Sequence, residues 1–282
     1  MSYVSPGTDV AKVTGVSVIT VATQKGGVGK TTLTLGLASY WASCGKSVAF
    51  IDMDPQSNAS RGVTCAREGT PLSTLLGEAL TDPRRTVADS EWSMFAGEVF
   101  GLTGGVEMGE LVVPLATTIG GSKALGRLLD QARQEFDYII VDTPPNTGTL
   151  TTAGVIAADF VVTITNLSRW SAEGAARTSR LVTQLQDFGE TDAKFIGAVI
   201  NRPGANRVVS VQVRKDFEGT NIPVLGEIPE RVCVQEGEYL SEPAALTNKD
   251  IKAAFATISK NIERSIRVVS KKQVKKRAAA RA

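Results

Sequence analysis

Apolar, β-branched runs alternate along the chain with stretches in which apolar residues recur at helical spacing. The runs predict six strands, at 16–21, 47–52, 138–141, 160–164, 195–200 and 224–228. Continuous apolar strands separated by helices are typical of a parallel sheet that is covered on both faces. The pattern therefore predicts an α/β fold, a three-layer, doubly wound and mostly parallel sheet.

Helical spacing is the second part of the pattern. It predicts helices at 33–41, 71–76, 123–133, 172–188, 208–217 and 249–269. Residues 77–121 fit neither period well, being acidic and glycine-rich with one apolar run at 111–115. Since no repeat or linker divides the body, we predict a flexible N-terminal arm over 1–12, one domain over 13–269 and a basic C-terminal tail over 270–282.

A glycine-rich loop joins the first predicted strand to the first predicted helix. Its members are Gly26, Gly27, Val28, Gly29, Lys30, Thr31 and Thr32. Strand, glycine loop and helix in this order indicate a phosphate-binding loop, whose backbone N–H groups point at phosphate oxygens. Lys30 can reach the β- and γ-phosphates of a nucleotide, and the Thr31 hydroxyl can bind Mg²⁺.

Acidic residues end two further strands. Asp52 ends the second strand and Asp54 follows it with one residue between them, so they share a face. Asp142 ends the third strand before Thr143-Pro144-Pro145, the Walker B arrangement in which an aspartate holds Mg²⁺ through water. Ligands of parallel α/β sheets bind beyond the carboxyl ends of strands. The alternative for the Asp54-Pro55 pair is a solvated turn.

Together the three motifs resemble those of the ParA/MinD family of deviant Walker A ATPases, a branch of the P-loop NTPases. The distinguishing residue is a second lysine, Lys25, directly before the glycine pair, with Gln24 where the standard loop has glycine. The resemblance implies that Lys25 reaches across a dimer interface to the partner's phosphates. It also implies that Asp52 contacts the Mg²⁺ shell and that Asp54 positions the attacking water.

The resemblance therefore assigns catalytic roles to Lys25, Lys30 and Asp54, and metal binding to Thr31, Asp52 and Asp142, with ATP and Mg²⁺ as cofactors. It continues at Asn201, whose amide can pair with the adenine edge, and at Pro229, in a segment that lies near the base in similar proteins. Glu230 stands where that segment usually has arginine, and Arg231 follows one place later.

The amino-acid composition excludes or disfavours several kinds of catalytic and metal site. The 282 residues include no histidine, which excludes His-based triads and His-ligated metals. The three cysteines are scattered without a Cys-x-x-Cys pair, which suits a reducing cytosol and disfavours the iron–sulfur reductases and metal carriers of the family. No apolar run approaches the ~20 residues of a membrane span, and no tyrosine cluster follows Tyr239, as the tyrosine-kinase branch would require.

Charge is unevenly distributed. Residues 260–282 carry a net charge of +8, which leaves −6 for the rest of a chain whose total is +2. A basic tail suggests a polyanionic partner, although a disordered solubilising end is the simpler alternative. The predicted DNA contacts are Arg207, Arg214, Lys215 and Arg231 in the body and Lys271, Lys272, Lys275, Lys276 and Arg277 in the tail. Residues 271–282 lack the large apolar side chains of a membrane-inserting helix.

The resemblance implies a ParA-type partition ATPase, cytoplasmic and nucleoid-associated. Such a protein forms a homodimer on ATP and binds DNA without sequence preference. A ParB-like or other adaptor, bound to a plasmid, chromosome or protein assembly, stimulates slow ATP hydrolysis. The alternative is a MinD-like, membrane-associated positioning ATPase, although membrane association is disfavoured by the composition of the tail.

Overall fold

The computed structural model describes residues 17–62, 65–95, 98–168, 170–201, 207–229 and 248–279, without the side chains of 207–210 and 272–279. The predicted N-terminal arm and Arg231 lie outside the described residues. The same holds for the side chains of Arg207, Lys272, Lys275, Lys276 and Arg277.

One sheet of nine strands forms the centre of the described structure. In chain order the strands are β1 (Ser17–Val21), β2 (Val48–Asp52), β3 (Cys65–Arg67), β4 (Ser93–Phe95), β5 (Val99–Leu102), β6 (Tyr138–Asp142), β7 (Phe160–Asn166), β8 (Lys194–Asn201) and β9 (Val224–Ile228). Their order across the sheet is β3-β4-β5-β2-β6-β1-β7-β8-β9. The β5-to-β9 part is parallel, and β3 and β4 add an antiparallel edge. The predicted fold class is confirmed.

Ten α-helices lie in the described ranges. They are α1 (Lys30–Ser43), α2 (Asn58–Arg61), α3 (Leu72–Thr81), α4 (Val112–Thr117), α5 (Ala124–Leu128), α6 (Ala132–Glu135), α7 (Thr149–Ala157), α8 (Ser171–Asp187), α9 (Arg207–Glu218) and α10 (Lys249–Ala279). None of the helices in the described ranges combines the length and hydropathy needed to cross a bilayer.

All six predicted strands are present, but between 61 and 157 the prediction missed or merged several elements. The short strands β3, β4 and β5 have only three or four residues each, too few for an alternating pattern to stand out. Helix α7 was missed because most of its residues are buried, which removes the amphipathic period. The predicted helix 123–133 is wrong as one element, because α5 and α6 are separate.

Helices cover both faces of the sheet. On one face α1 and α10 pack together over β1, β2 and β6, and on the other α3, α5 and α7 enclose a second cluster. A Cβ on Gly36 of α1 would lie 2.0 Å from Cζ of Phe255 of α10, so these helices approach too closely for any larger residue at that position. The Trp41 indole also donates to Ser259 Oγ at 2.7 Å across the same contact.

Helix α10 is longer than its apolar pattern indicated. Its predicted inward-facing residues are all buried, namely Ile251, Phe255, Ile258, Ile262 and Ile266. The helix then runs on to Ala279, past the expected end at 269. The first part of the basic tail is therefore a continuation of a helix that is anchored on the core.

Candidate functional site

The three predicted motifs meet because their strands are neighbours. Strand β6 lies between β1 and β2, and its last residue, Asp142, pairs in register with both Val21 and Asp52. The glycine loop that follows β1 thus faces two acidic strand ends. This arrangement brings residues that are about a hundred positions apart in sequence to one edge of the sheet.

The glycine loop has the backbone that a phosphate cradle requires. Gly27 and Gly29 adopt the left-handed region, with φ of 69° and 93°, which glycine reaches without steric cost. Gly29 is the N-cap of α1, and within the described ranges no side chain caps this helix end. Backbone N–H groups at such an end, with the positive pole of the helix, suit an anionic ligand.

Lys30 is the cation of the site. It is buried, and its Nζ lies 2.8 Å from Asp142 Oδ1 and 3.6 Å from Asp54 Oδ2. The Thr31 hydroxyl donates to Asp142 Oδ2 at 2.9 Å. The Thr34 hydroxyl, one turn further along α1, donates to Asp142 Oδ1 at 3.4 Å. Lys30 therefore bridges two of the three predicted acidic residues.

Asp52 lies beside this group with partners of its own. Its Oδ2 accepts hydrogen bonds from Ser60 N at 2.8 Å and Ser60 Oγ at 2.7 Å, and its Oδ1 accepts one from Asp54 N at 3.1 Å. Burial raises the pKa of Asp52 to about 6, and the neighbouring Asp142 carboxylate adds to the shift. Burial also raises the pKa of Asp142, against the opposing effect of Lys30.

These side chains fit a Mg²⁺ ion that is shared with a ligand. Three buried acids face one buried lysine, so the site carries an excess of negative charge that a divalent cation would offset. No three acid, cysteine or histidine side chains of the described ranges form a closed metal cage. Mg²⁺ seldom needs one, since it is usually held by one or two carboxylates together with water and phosphate oxygens.

Lys25 behaves differently from Lys30. It is exposed, and its Nζ donates to Asn166 Oδ1, at the end of β7, over a long 3.4 Å. In the part of the chain that the structure describes, it forms no salt bridge. Lys25 is thus an exposed cation at the rim of the phosphate loop.

Asn201 is placed against the glycine loop. It ends β8, is buried, and its Nδ2 donates to the Val28 carbonyl at 2.8 Å. A Cβ on Gly29 would lie 2.1 Å from the same Nδ2, so only glycine fits there. The amide thus supports the phosphate loop, and its role toward adenine stays a prediction. Pro229 directly follows β9, the neighbour of β8.

The predicted DNA contacts are only partly described. Arg214 forms a two-point ion pair with Glu227, with Nε and a terminal nitrogen each 2.8 Å from a carboxylate oxygen. That pairing makes Arg214 a weaker phosphate ligand than the sequence suggested. Lys215 and Lys271 are exposed, and the contacts of all of these residues with DNA stay predictions.

Sequence reasoning missed three supporting residues. Thr34 was within reach of the sequence, because it follows Thr31 by three positions and so lies on the same helical face. Ser60, which holds Asp52, and Asn166, which contacts Lys25, gave no such signal. Their positions depend on the packing of α2 and β7 around the strand ends.

The fold and the site define the class of protein. A nine-stranded α/β sheet, a glycine loop with a buried lysine, and acidic residues at adjacent strand ends are the features of a P-loop NTPase. A family model described as an AAA domain matches residues 16–195, well over half of the chain. The chain belongs to this family and, with the relatives described next, to the ParA/MinD group of deviant Walker A ATPases that the motifs predicted.

Two relatives match most of the chain. The sporulation initiation inhibitor protein Soj of Bacillus subtilis is 30% identical over 201 residues, which are 71% of this chain and 78% of Soj. The chromosome partitioning protein ParA of Caulobacter vibrioides is 28% identical over 244 residues, 84% of this chain and 88% of that protein.

Solved structures share the fold. The McdA(D38A)–ATP complex of Cyanothece has a TM-score of 0.73 at 20% identity and covers 88% of this chain and 96% of its own. The septum site-determining protein MinD of Pyrococcus horikoshii, complexed with Mg-ADP, has a TM-score of 0.67 at 20% identity with the same coverage. The ligands of these two structures agree with the predicted cofactors, ATP and Mg²⁺.

Proposed function

We propose that the protein is a ParA-like ATPase that dimerises on ATP, binds DNA without sequence preference and positions a cargo through partner-stimulated hydrolysis. The observation that carries this proposal is the pair of lysines at one loop: Lys30 buried between Asp142 and Asp54, and Lys25 exposed at the rim. A monomeric NTPase site needs the first lysine only.

Different residues of the site would bind the phosphates and the Mg²⁺ ion. The loop from Gly26 to Thr32 would hold the phosphates through its N–H groups, with Lys30 as the charge partner of the β- and γ-phosphates. Thr31, Asp52 and Asp142 would hold Mg²⁺, which supplies charge neutralisation on the phosphates when bound. Asn201 would keep the loop in shape through its bond to Val28.

Hydrolysis by this site alone should be slow. Asp54 is the residue that can orient a water, and it has one oxygen near Lys30 and the other accepting from Gln56 N at 3.0 Å. The chain has no histidine to act as general base. Acceleration would therefore come from completing the site, by the partner subunit's Lys25 and by an adaptor protein.

One observation favours a second candidate, a MinD-like membrane-associated ATPase. The basic segment 270–279 is helical and continues α10, and basic helices attract anionic lipids. Against it, the apolar side of α10 is buried in the core up to Ile266, so that side is not available for insertion into a bilayer.

A paired retention assay tests the proposal. The full-length protein is incubated with ATP, ADP or no nucleotide, and then applied to immobilised DNA of arbitrary sequence and to anionic liposomes. We expect retention on DNA with ATP only. Retention on liposomes alone would favour the MinD-like function, and equal DNA retention in all three nucleotide states would contradict the ATP-dependent switch.

A further inference from the structure

The solvent face of α10 carries a line of positive charge. Lys260, Arg264, Arg267 and Lys271 are spaced by four, three and four residues, and all four are exposed. At 3.6 residues per turn they fall within an arc of about 60°, over a length of about 17 Å. These four residues are called the α10 basic stripe below.

The stripe is poorly neutralised compared with other exposed helices. On α8, Arg177 lies 2.6 Å from Glu173, and on α9, Arg214 is paired with Glu227. Counting the described residues, Arg267 alone in the stripe has a carboxylate nearby, that of Glu263 at a long 3.8 Å. Glu263 is also the acceptor for the Tyr138 hydroxyl at 3.3 Å. Within the described ranges the other three residues of the stripe form no salt bridge.

The helix that displays the stripe is held firmly by the core. Its opposite side buries Ile251, Phe255, Ile258 and Ile262, and Phe255 packs against Gly36 of the phosphate-loop helix. A basic segment on such a helix presents its charges at fixed spacing, at little cost in conformational entropy on binding. A mobile tail would lose most of that advantage.

We propose that the α10 basic stripe is a docking surface for the phosphate backbone of duplex DNA. This inference rests on the proposed DNA binding and deepens it, because it extends the interface from the tail onto an ordered helix face. Over about 17 Å, B-DNA presents one negative charge for every 1.7 Å of its axis. Four cations in a line over that length can each contact a phosphate of the DNA backbone. Contacts to the backbone read no base, so the binding is independent of sequence.

An anionic membrane fits the stripe less well. Surface-seeking helices pair a basic face with an exposed apolar face, whereas the large apolar residues of α10 from Ile251 to Ile266 are directed into the core. Among the described side chains of α10, Val268 is the one large apolar residue that is exposed. The stripe therefore offers charge without insertion.

The test is a fourfold substitution, Lys260→Gln, Arg264→Gln, Arg267→Gln and Lys271→Gln, in the full-length protein. The matched control removes four exposed positive charges elsewhere, by Arg84→Gln, Lys123→Gln, Arg177→Gln and Arg180→Gln. Both variants change the net charge equally. Duplex DNA affinity is measured with a non-hydrolysable ATP analogue from 50 to 200 mM salt, after ATP titration and thermal unfolding have shown that each variant is folded.

We expect the slope of log K against log salt to fall in magnitude by about 3.6 for the stripe variant if all four contacts form, and by at least about 2 if only some do. If all four contacts are lost, the drop in DNA affinity between 50 and 200 mM salt should be about 150-fold smaller than in the wild type. The control should keep the wild-type slope.

The outcomes separate this inference from the proposed function. A wild-type protein that does not bind DNA with the analogue overturns both. If the wild type binds DNA but the stripe variant and the control have equal slopes, the inference about the stripe is wrong and the proposed function stands. If vesicles of phosphatidylcholine and phosphatidylglycerol retain the wild type but not the stripe variant, while DNA affinity is unchanged, the stripe is a lipid-binding surface and the inference is wrong.

Discussion

Replacing Lys30 by alanine tests the assignment of the phosphate loop by two independent measurements. Lys30 is almost fully buried, and Asp142, its partner at 2.8 Å, is completely buried. Removing the lysine leaves Asp142 with the hydroxyls of Thr31 and Thr34 as its partners. Because one member of a buried ion pair is lost, we expect the free energy of unfolding to fall by about 3–5 kcal/mol.

The same substitution should abolish ATP binding, because the main charge partner of the β- and γ-phosphates is gone. Nucleotide affinity is measured by calorimetric titration, and stability by denaturant unfolding without nucleotide. The exposed lysine variant Lys252→Ala is the control, and should match the wild type in both. Unchanged ATP affinity in Lys30→Ala would refute the loop assignment. Unchanged stability would refute the buried pair with Asp142.

A compensating double variant sharpens the stability argument. When Lys30→Met is combined with Asp142→Asn, both charges are removed at similar volume, and the uncompensated carboxylate disappears. The double variant should therefore be more stable than Lys30→Met alone, whereas Asp142→Asn alone keeps the contact between Lys30 and Asp54. If the two losses simply added, Lys30 and Asp142 would not be energetically coupled, and the cost of Lys30→Ala would need another cause.

Three further predictions concern hydrolysis, dimerisation and DNA. Asp54→Ala should keep ATP binding and the ATP dimer but stall hydrolysis; turnover at the wild-type rate in a phosphate-release assay would remove Asp54 from catalysis. Lys25→Ala should leave nucleotide affinity of the monomer largely intact yet abolish the ATP dimer, and light scattering that still shows a dimer would contradict the cross-interface role. Deleting 271–282 should weaken DNA retention and lower the magnitude of the slope of log K against log salt by about 2–4, with ATP affinity unchanged. An equal slope would exclude the tail from DNA binding.

The strands were predictable because each is a local signal. Six apolar, β-branched runs carried the period and composition of buried parallel strands, and all six formed. The short strands β3, β4 and β5 were not predictable in the same way, because they have three or four residues. Strands this short depend on pairing with their neighbours more than on their own composition.

The candidate site residues also divide into those that the sequence indicated and those that it did not. Lys30, Thr31 and the strand-terminal acids were identifiable because their chemistry is encoded in adjacent residues: a glycine loop between strand and helix, or an aspartate ending an apolar run. The resemblance to a family then supplied the roles of Lys25 and Asp54. Neither source indicated that Ser60 holds Asp52 through two hydrogen bonds.

The sequence by itself determined which residues could bind phosphate and metal, and which side of α10 turns inward. Both follow from short-range spacing along the chain. Only the tertiary structure decided that β6 inserts between β1 and β2, so that Asp142 faces Lys30, and that the Asn201 amide supports Val28 from the end of β8. The physical reason is that such contacts join segments more than a hundred residues apart, and the packing order of a whole sheet selects them.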